Sequence, residues 1–228
     1  MIFDVETTGL IYGKVIPKLE ACPYVLQCSY LIFDLETNQI LKTMNSYVNV
    51  SQDVVIPPES TRIHGITREM CNTGREMCDI LNEFYHDYHN MANVLVAHNL
   101  KFDATLLNIE FQRNWPKMRD TCPYALNLFQ PVYMADVNMR QICTMEFTTE
   151  MCKLPFPSGK GSGYKFPTLL ELYRHLFNKT PDHLHDSLMD CLVCLRCFLK
   201  ISGGGYVIEE YEFEKMVSSL YYLGNSIV

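Results

Sequence analysis

The chain has 228 residues, enough for one sizeable domain with its own core. Its 48% apolar and 20% charged residues match an ordinary globular protein, and no apolar run approaches the ~20 residues of a bilayer-spanning helix, so a helical membrane protein is set aside. The net charge of −7 is awkward for a nucleic-acid partner, but it is uneven: residues 101–180 hold 10 Lys and Arg against 7 Asp and Glu, either a solvated surface or a phosphate-facing one.

In chain order, residues 1–6 read as a short buried strand that ends at acidic residues. The opening Met1-Ile2-Phe3-Asp4 has no basic stretch, so no signal peptide is expected and the setting reads as intracellular. Residues 24–34 and 40–50 read as two further strands, and the polar stretch 35–39 between them predicts a hairpin. Residues 75–91 place Met77, Ile80, Leu81, Phe84 and Tyr88 at helical spacing. Val94, Leu95 and Val96 form a short buried strand that delivers His98 and Asn99. A helix over 101–113 follows, carrying Asp103, Leu106, Leu107 and Phe111, and 141–145 is the candidate fifth strand. Pro167 marks the start of a helix over 167–177, and 184–200 is the last major helix.

Residues 155–165 are rich in Gly, Ser and Pro and read as a loop, with Lys160 and Lys165 as candidate phosphate contacts. Its GKGSG is not a P-loop, because the full spacing is missing. The domain is drawn over 1–202. The tail, 203–228, follows Gly203-Gly204-Gly205 and reads as a docked helix or a partner contact. An early hairpin followed by alternating helices and strands predicts an α/β fold, a mixed five-stranded sheet flanked by helices.

Ten cysteines invite a disulfide or metal reading. The chain is far larger than the small secreted class that disulfides staple, so reduced thiols are expected. Cys191, Cys194 and Cys197 have C-x-x-C-x-x-C spacing, but on a predicted helix that spacing marks one buried face.

Three acidic motifs carry the chemistry: IFDVETTGL at 2–10, AHNLKFD at 97–103 and HDSLMD at 185–190. They supply Asp4, Glu6, Asp103 and Asp190, with His185 five positions before the last. Carboxylates in apolar surroundings are costly to bury without a counter-charge. The first and third motifs contain no Lys or Arg, and the second contains only Lys101. Mg²⁺ or Mn²⁺ is the natural partner, since both prefer hard carboxylate oxygens. Asp4 and Glu6 are two apart on a strand and share a face. His185 lies about 140° round a helix from Asp190, off its face, and imidazole chemistry near neutral pH suits a general base. His183 is a competing candidate. Phe102 is a candidate for base stacking or for core packing, and His98 and Asn99 for hydrogen bonds to a terminal nucleotide or to metal-bound water. His64 is read either as a substrate contact or as a turn cap.

Together D-x-E-T-T-G, H-N-x-x-F-D and H-x-x-x-x-D resemble the motifs of the DEDDh (DnaQ-like) 3′–5′ exonucleases of the ribonuclease H-like superfamily, and Ile63-His64-Gly65-Ile66-Thr67 is similar to a loop common in that family. The resemblance covers residues 1–200 or so and implies a ribonuclease H-like fold. It implies two Mg²⁺ or Mn²⁺ ions, with Asp4 bridging, Glu6 and Asp190 completing the metal near the nucleophile, and Asp103 serving the second directly or through water. It selects His185, by spacing, as the base that deprotonates the attacking water. Thr7, Thr8 and Gly9 would hold the terminal 3′-OH, with Leu10 against the last base. The implied activity is release of nucleoside 5′-monophosphates from DNA 3′ ends, single-stranded or frayed, in proofreading, repair or processing. Proofreading would call for a polymerase partner. An RNA 3′-end trimmer and an inactive polymerase-binding module are the alternatives.

Overall fold

In the computed structural model, which describes residues 1–11, 18–157 and 162–222, the sheet is built from β1 (Ile2–Thr7), β2 (Val25–Asp34), β3 (Gln39–Tyr47), β4 (Val94–Ala97) and β5 (Arg140–Cys143). The strand order is β3-β2-β1-β4-β5. β1–β2 and β2–β3 are antiparallel, while β1–β4 and β4–β5 are parallel, so the sheet is mixed. The hairpin forms where the polar stretch predicts it. Asp34 accepts from the Glu36 N–H at 2.9 Å and the Thr37 hydroxyl at 2.8 Å, and Asn38 takes a left-handed φ of 56°.

The helices are α1 (Pro58–His64), α2 (Arg68–Asn72), α3 (Met77–Met91), α4 (Leu100–Met118), α5 (Pro131–Asp136), α6 (Thr144–Phe147), α7 (Thr149–Cys152), α8 (Leu169–Phe177), α9 (Ser187–Ile201) and α10 (Glu210–Met216). They cover both faces of the sheet. Phe3 and Val5 of β1, with Leu26, Cys28 and Tyr30 of β2, share one core with Phe84 of α3 and Leu107 and Phe111 of α4. Ile2 and Leu31 point the other way, into a second core with Leu172 and Tyr173 of α8 and Leu192 and Leu195 of α9. Strand alternation thus splits β1 into two faces, and Asp4 and Glu6 fall on the α9 side.

Several bounds differ from expectation. β3 stops at Tyr47, although Val48 still donates to the Leu26 carbonyl at 2.9 Å while bridging Arg75 on its other side. α4 runs five residues past the expected end, through Pro116. Met118 is fully buried in its last turn, and Arg113 holds the carbonyls of Leu19, Cys22 and Pro23, so tertiary contacts outweigh the proline stop signal. α8 begins at Leu169 rather than Pro167, behind a Thr168–Glu171 capping box. α9 begins at Ser187 rather than 184, capped by Asp186. The Ile63–Thr67 segment is a joint between two short helices, with Gly65 closing α1 and Thr67 capping α2.

The tail is seated on the second core. Ile208 and Phe213 are buried, and the buried Arg196 of α9 donates to the Ile208 carbonyl at 3.0 Å, to the Tyr173 hydroxyl and to Glu210 at 2.9 Å. Its guanidinium also stacks on the rings of Phe177 and Phe213. Cys191, Cys194 and Cys197 are all buried, with Cys191 donating to the Ser29 carbonyl, and all ten cysteines are free thiols. Lys160 lies outside the described residues. Lys165 is held by Glu171 at 2.6 Å, so the phosphate contact expected of it gives way to an ion pair.

Candidate active site

The three motifs meet at one end of the sheet. Asp4 and Glu6 come from β1, which ends in the turn at Thr7–Gly9. Past Ile2 the edge of β1 towards β4 has no further ladder partner. Asp103, near the start of α4, fills that gap by accepting the Val5 N–H at 3.4 Å, which fixes its carboxylate beside β1. Asp190 lies in the first turn of α9, where the helix N-terminus favours negative charge. His185 precedes the helix in a left-handed conformation, φ 70°, and its N–H donates to Asp190 Oδ2 at 3.2 Å. Ligand-type atoms of Glu6, His185 and Asp190 lie within 4.8 Å of one another.

The electrostatics are those of crowded anions. Burial, then the charge of Asp186, lifts the Asp4 carboxyl to about 7. Burial and the charges of Asp4, Asp190, Asp103 and Asp186 push Glu6 to about 10. Asp103 and Asp190 are raised well above the carboxylate range, by burial first and Asp4 second. Asp190 Oδ1 is buried without a hydrogen-bond partner. A buried carboxylate oxygen with no donor, among four carboxylates that resist ionising together, is the donor set a hard divalent cation satisfies. Asp4, Glu6, Asp103 and Asp190 therefore fit a metal centre.

In front of the carboxylates lies a cleft of about 910 Å³, lined by Glu6, Thr7, Thr8, Gly9, Leu10, His64, Phe102 and His185. The threonine hydroxyls shape the turn: Thr7 Oγ1 donates to the Gly9 carbonyl at 2.7 Å, and Thr8 Oγ1 accepts the Tyr24 N–H at 2.9 Å. Gly9 has no positive φ, and a Cβ there would meet nothing within 4 Å, so the turn itself does not demand glycine and the open space belongs to the cleft. Leu10 is 58% exposed on the rim. Phe102 packs partly against the core and also lines the cleft. His64 accepts the Ile66 N–H at Nδ1, the turn cap, while its buried Nε2 has no partner. Burial, with His185 nearby, lowers its pKa.

His98 is a correction. Nδ1 is bonded to Thr144 Oγ1 and Nε2 to the Pro167 carbonyl, each at 3.0 Å, so the ring ties β4 to α6 and to the approach of α8. Burial lowers it to about 4 and keeps it neutral, with no ring nitrogen left for a nucleotide. Asn99, left-handed at φ 75°, turns the chain into α4 and does not line the cleft. His183, also left-handed, packs on Tyr221. Asp186 escaped the motif reading because H-x-x-x-x-D treats it as spacer. An Asp just before an apolar helical run was nonetheless a cap signal, and its charge bears on Asp4, Glu6 and Asp190.

An RNase T-type family model described as an exonuclease matches residues 1–198. The chain belongs to this exonuclease family. It is 25% identical over 205 residues to DNA polymerase III subunit epsilon of Haemophilus influenzae, covering 90% of this chain and 67% of that one. It is 32% identical over 115 residues to the PolC-type DNA polymerase III of Oceanobacillus iheyensis, covering 50% of this chain but only 7% of that one. Among solved structures, E. coli exonuclease I bound to a dA16 oligonucleotide superposes with a TM-score of 0.62 at 14% identity, over 100% of this chain and 45% of that one. The chain thus spans less than half of exonuclease I, and the likeness carries the DnaQ-like, ribonuclease H-like fold. Among the described residues no helix is long and apolar enough to cross a membrane.

Proposed function

We propose that this exonuclease works in the 3′–5′ direction on DNA, preferring single-stranded or frayed ends and releasing nucleoside 5′-monophosphates. The observation that carries the reading is the convergence of Glu6, His185 and Asp190 within 4.8 Å, with Glu6 and His185 lining a cleft that begins at the Thr7–Leu10 turn. Asp4, Glu6, Asp103 and Asp190 would hold two Mg²⁺ or Mn²⁺ ions. Bound there, the pair supplies charge neutralisation and Lewis-acid polarisation of the scissile phosphate. The protein's own residues do the rest. His185, exposed at the cleft, takes the proton of the attacking water. The Thr7–Gly9 turn and the unpartnered His64 Nε2 face the terminal nucleotide, and the exposed Leu10 meets its base. Asp103, anchored on the Val5 N–H, keeps its carboxylate from turning away.

Two relatives support the choice of DNA: the epsilon protein is by name a DNA polymerase III subunit, and exonuclease I was solved with a DNA oligonucleotide. The first also supports a polymerase as this chain's partner if it proofreads. The test is a Mg²⁺ panel of linear and closed-circular DNA and of RNA, with free and blocked 3′ ends and product analysis. Stepwise 5′-mononucleotides from free DNA 3′ ends are expected. Nicking of closed circles would refute the mechanism, and a strong preference for RNA would move the substrate to the trimming alternative.

A further inference from the structure

The sheet face that bears Asp4 and Glu6 continues sideways as a band of polar side chains that the reaction above does not use. Across the β1–β2 ladder Asp4 lies opposite Ser29 and Glu6 opposite Gln27, and across β2–β3 these lie opposite Asn45 and Tyr47. Gln27 and Ser29 are 1% and 0% exposed, in the buried part of β2 between Leu26, Cys28 and Tyr30. A buried carboxamide is costly unless its donors and acceptor are used. Gln27 Nε2 donates to Asn45 Oδ1 at 3.0 Å and to Asp186 Oδ2 at 2.9 Å, and its Oε1 accepts the Ser187 N–H at 3.3 Å. A backbone N–H can only donate, so Ser187 fixes which way the carboxamide points. Ser29 Oγ adds bonds to Asn45 Oδ1 at 2.8 Å and to Ser187 Oγ at 2.6 Å.

The side-chain hydrogen bonds from the band to α9 and its cap fall on residues 186 and 187, directly after His185 and one turn before Asp190. Asp186 spends its other oxygen on the helix cap, accepting the N–H groups of Leu188 at 3.1 Å and Met189 at 3.2 Å. Immediately upstream, His183 and His185 both sit at positive φ, a conformation that costs non-glycine residues ~1 kcal/mol or more and persists only where its surroundings hold it.

We propose that Gln27 is a positioning residue: its carboxamide clamps Asp186 and Ser187, and so sets the direction from which His185 and the first turn of α9 meet the carboxylates of β1. The catalytic consequence rests on the exonuclease reading above, whereas the clamp itself does not. Methionine at 27 keeps the volume but supplies neither donor nor acceptor. Asparagine at 186 keeps an oxygen for the cap but turns an NH₂ onto the NH₂ of Gln27, breaking the same clamp from the other side.

The test uses the full chain carrying Gln27→Met, Asp186→Asn, both together, and Gln27→Met with His185→Ala. Amide hydrogen exchange over 183–190, without metal, reads the clamp. Single-turnover cleavage of a single-stranded oligonucleotide reads its consequence. Each single variant should speed exchange in that segment by about tenfold or more while exchange in β2 and α4 stays as in wild type. Each should slow cleavage ~10–100-fold, with half-saturating substrate moving under about threefold. The double variant should be no slower than the slower single, and Gln27→Met should cost clearly less once His185 is alanine, the remainder coming through the first turn of α9. Wild-type exchange over 183–190 in both single variants would overturn the clamp. A Gln27→Met loss of equal size with and without His185 would overturn the assigned aim. Asp186→Asn carries the same test if Gln27→Met does not fold. If the wild-type chain releases no nucleotides, the exonuclease reading fails, and the exchange measurement still decides the clamp.

Discussion

Replacing Asp4 by Asn removes one charge from the most crowded point of the site, and it should make the metal-free protein more stable while abolishing cleavage. Burial and Asp186 raise this carboxyl from 3.8 to about 7 in the folded state. In the unfolded chain it titrates at its ordinary value, so between those limits the folded protein keeps a proton that the unfolded chain has released. The stability from this group is complete below its unfolded value and is lost as pH rises through about 7. The full gap corresponds to roughly 4 kcal/mol. Asp4 is half-buried and titrates among other raised carboxyls, so the working figure is ~2 kcal/mol. For a domain of this size about 1 kcal/mol moves Tm by ~2–4 °C. Asp4→Asn in EDTA should then melt about 4–8 °C above wild type near pH 8 and level with it near pH 4. Saturating Mn²⁺ near pH 8 should raise wild type more than the variant and narrow or reverse the order. Thermal melts by circular dichroism at both pH values, with and without Mn²⁺, give all the numbers. A wild-type Tm in EDTA that stays flat across this range, together with a variant that melts no higher, would refute mutual repulsion of the carboxylates.

His185→Ala should slow the chemical step ~10²–10⁴-fold and flatten the acidic limb of the pH–rate profile, with Mn²⁺ affinity nearly unchanged. A matching fall in Mn²⁺ affinity by calorimetry would make His185 a ligand and not the base. Arg196→Ala removes the bonds to Ile208 and Glu210 of the tail and to Tyr173 of α8 in one step, and should cost ~3 kcal/mol in urea unfolding and speed proteolysis after Gly203. Equal proteolysis of variant and wild type would show that the apolar contacts of Ile208 and Phe213, with the Lys179–Glu210 ion pair, hold the tail without Arg196. Gly74→Ala would set a Cβ 2.5 Å from the Tyr47 carbonyl oxygen, a backbone atom with little room to yield, and should lose ~1–3 kcal/mol in the same unfolding assay.

The strands and the carboxylates were legible because their signals are local. Phe3 and Val5 alternate with Asp4 and Glu6, and the D-x-E pair reads as one face without knowing what covers it. Helix ends were less legible. Pro116 looks like a stop until Met118 and Arg113 are seen to be anchored across the fold, and α9 starts three residues late because Asp186 caps it. His98 was misread for a related reason. A histidine beside a catalytic motif invites a substrate role, and only the tertiary structure shows Thr144 and Pro167 occupying both its nitrogens. Gln27 left no trace at all. Its partners lie 18, 159 and 160 positions away, beyond the reach of any pattern along the chain.

That same separation has a consequence during synthesis. Asp4 and Glu6 emerge before the helix that supplies Asp190, and that helix seals the same face of β1, with Cys191 reaching back to the Ile2 carbonyl across 189 positions. Until that helix arrives, the first strand presents its acidic face with nothing over it. Folding vectorially from the N-terminus, the nascent chain can close the hairpin and the α3–α4 layer early, since these need only the first half of the sequence. The proposed metal site stays incomplete until Asp190 has been added. A ribosome-bound fragment that stops short of Asp190 carries the first core without the helix that closes the second, and lacks one of the four carboxylates proposed to hold the metals.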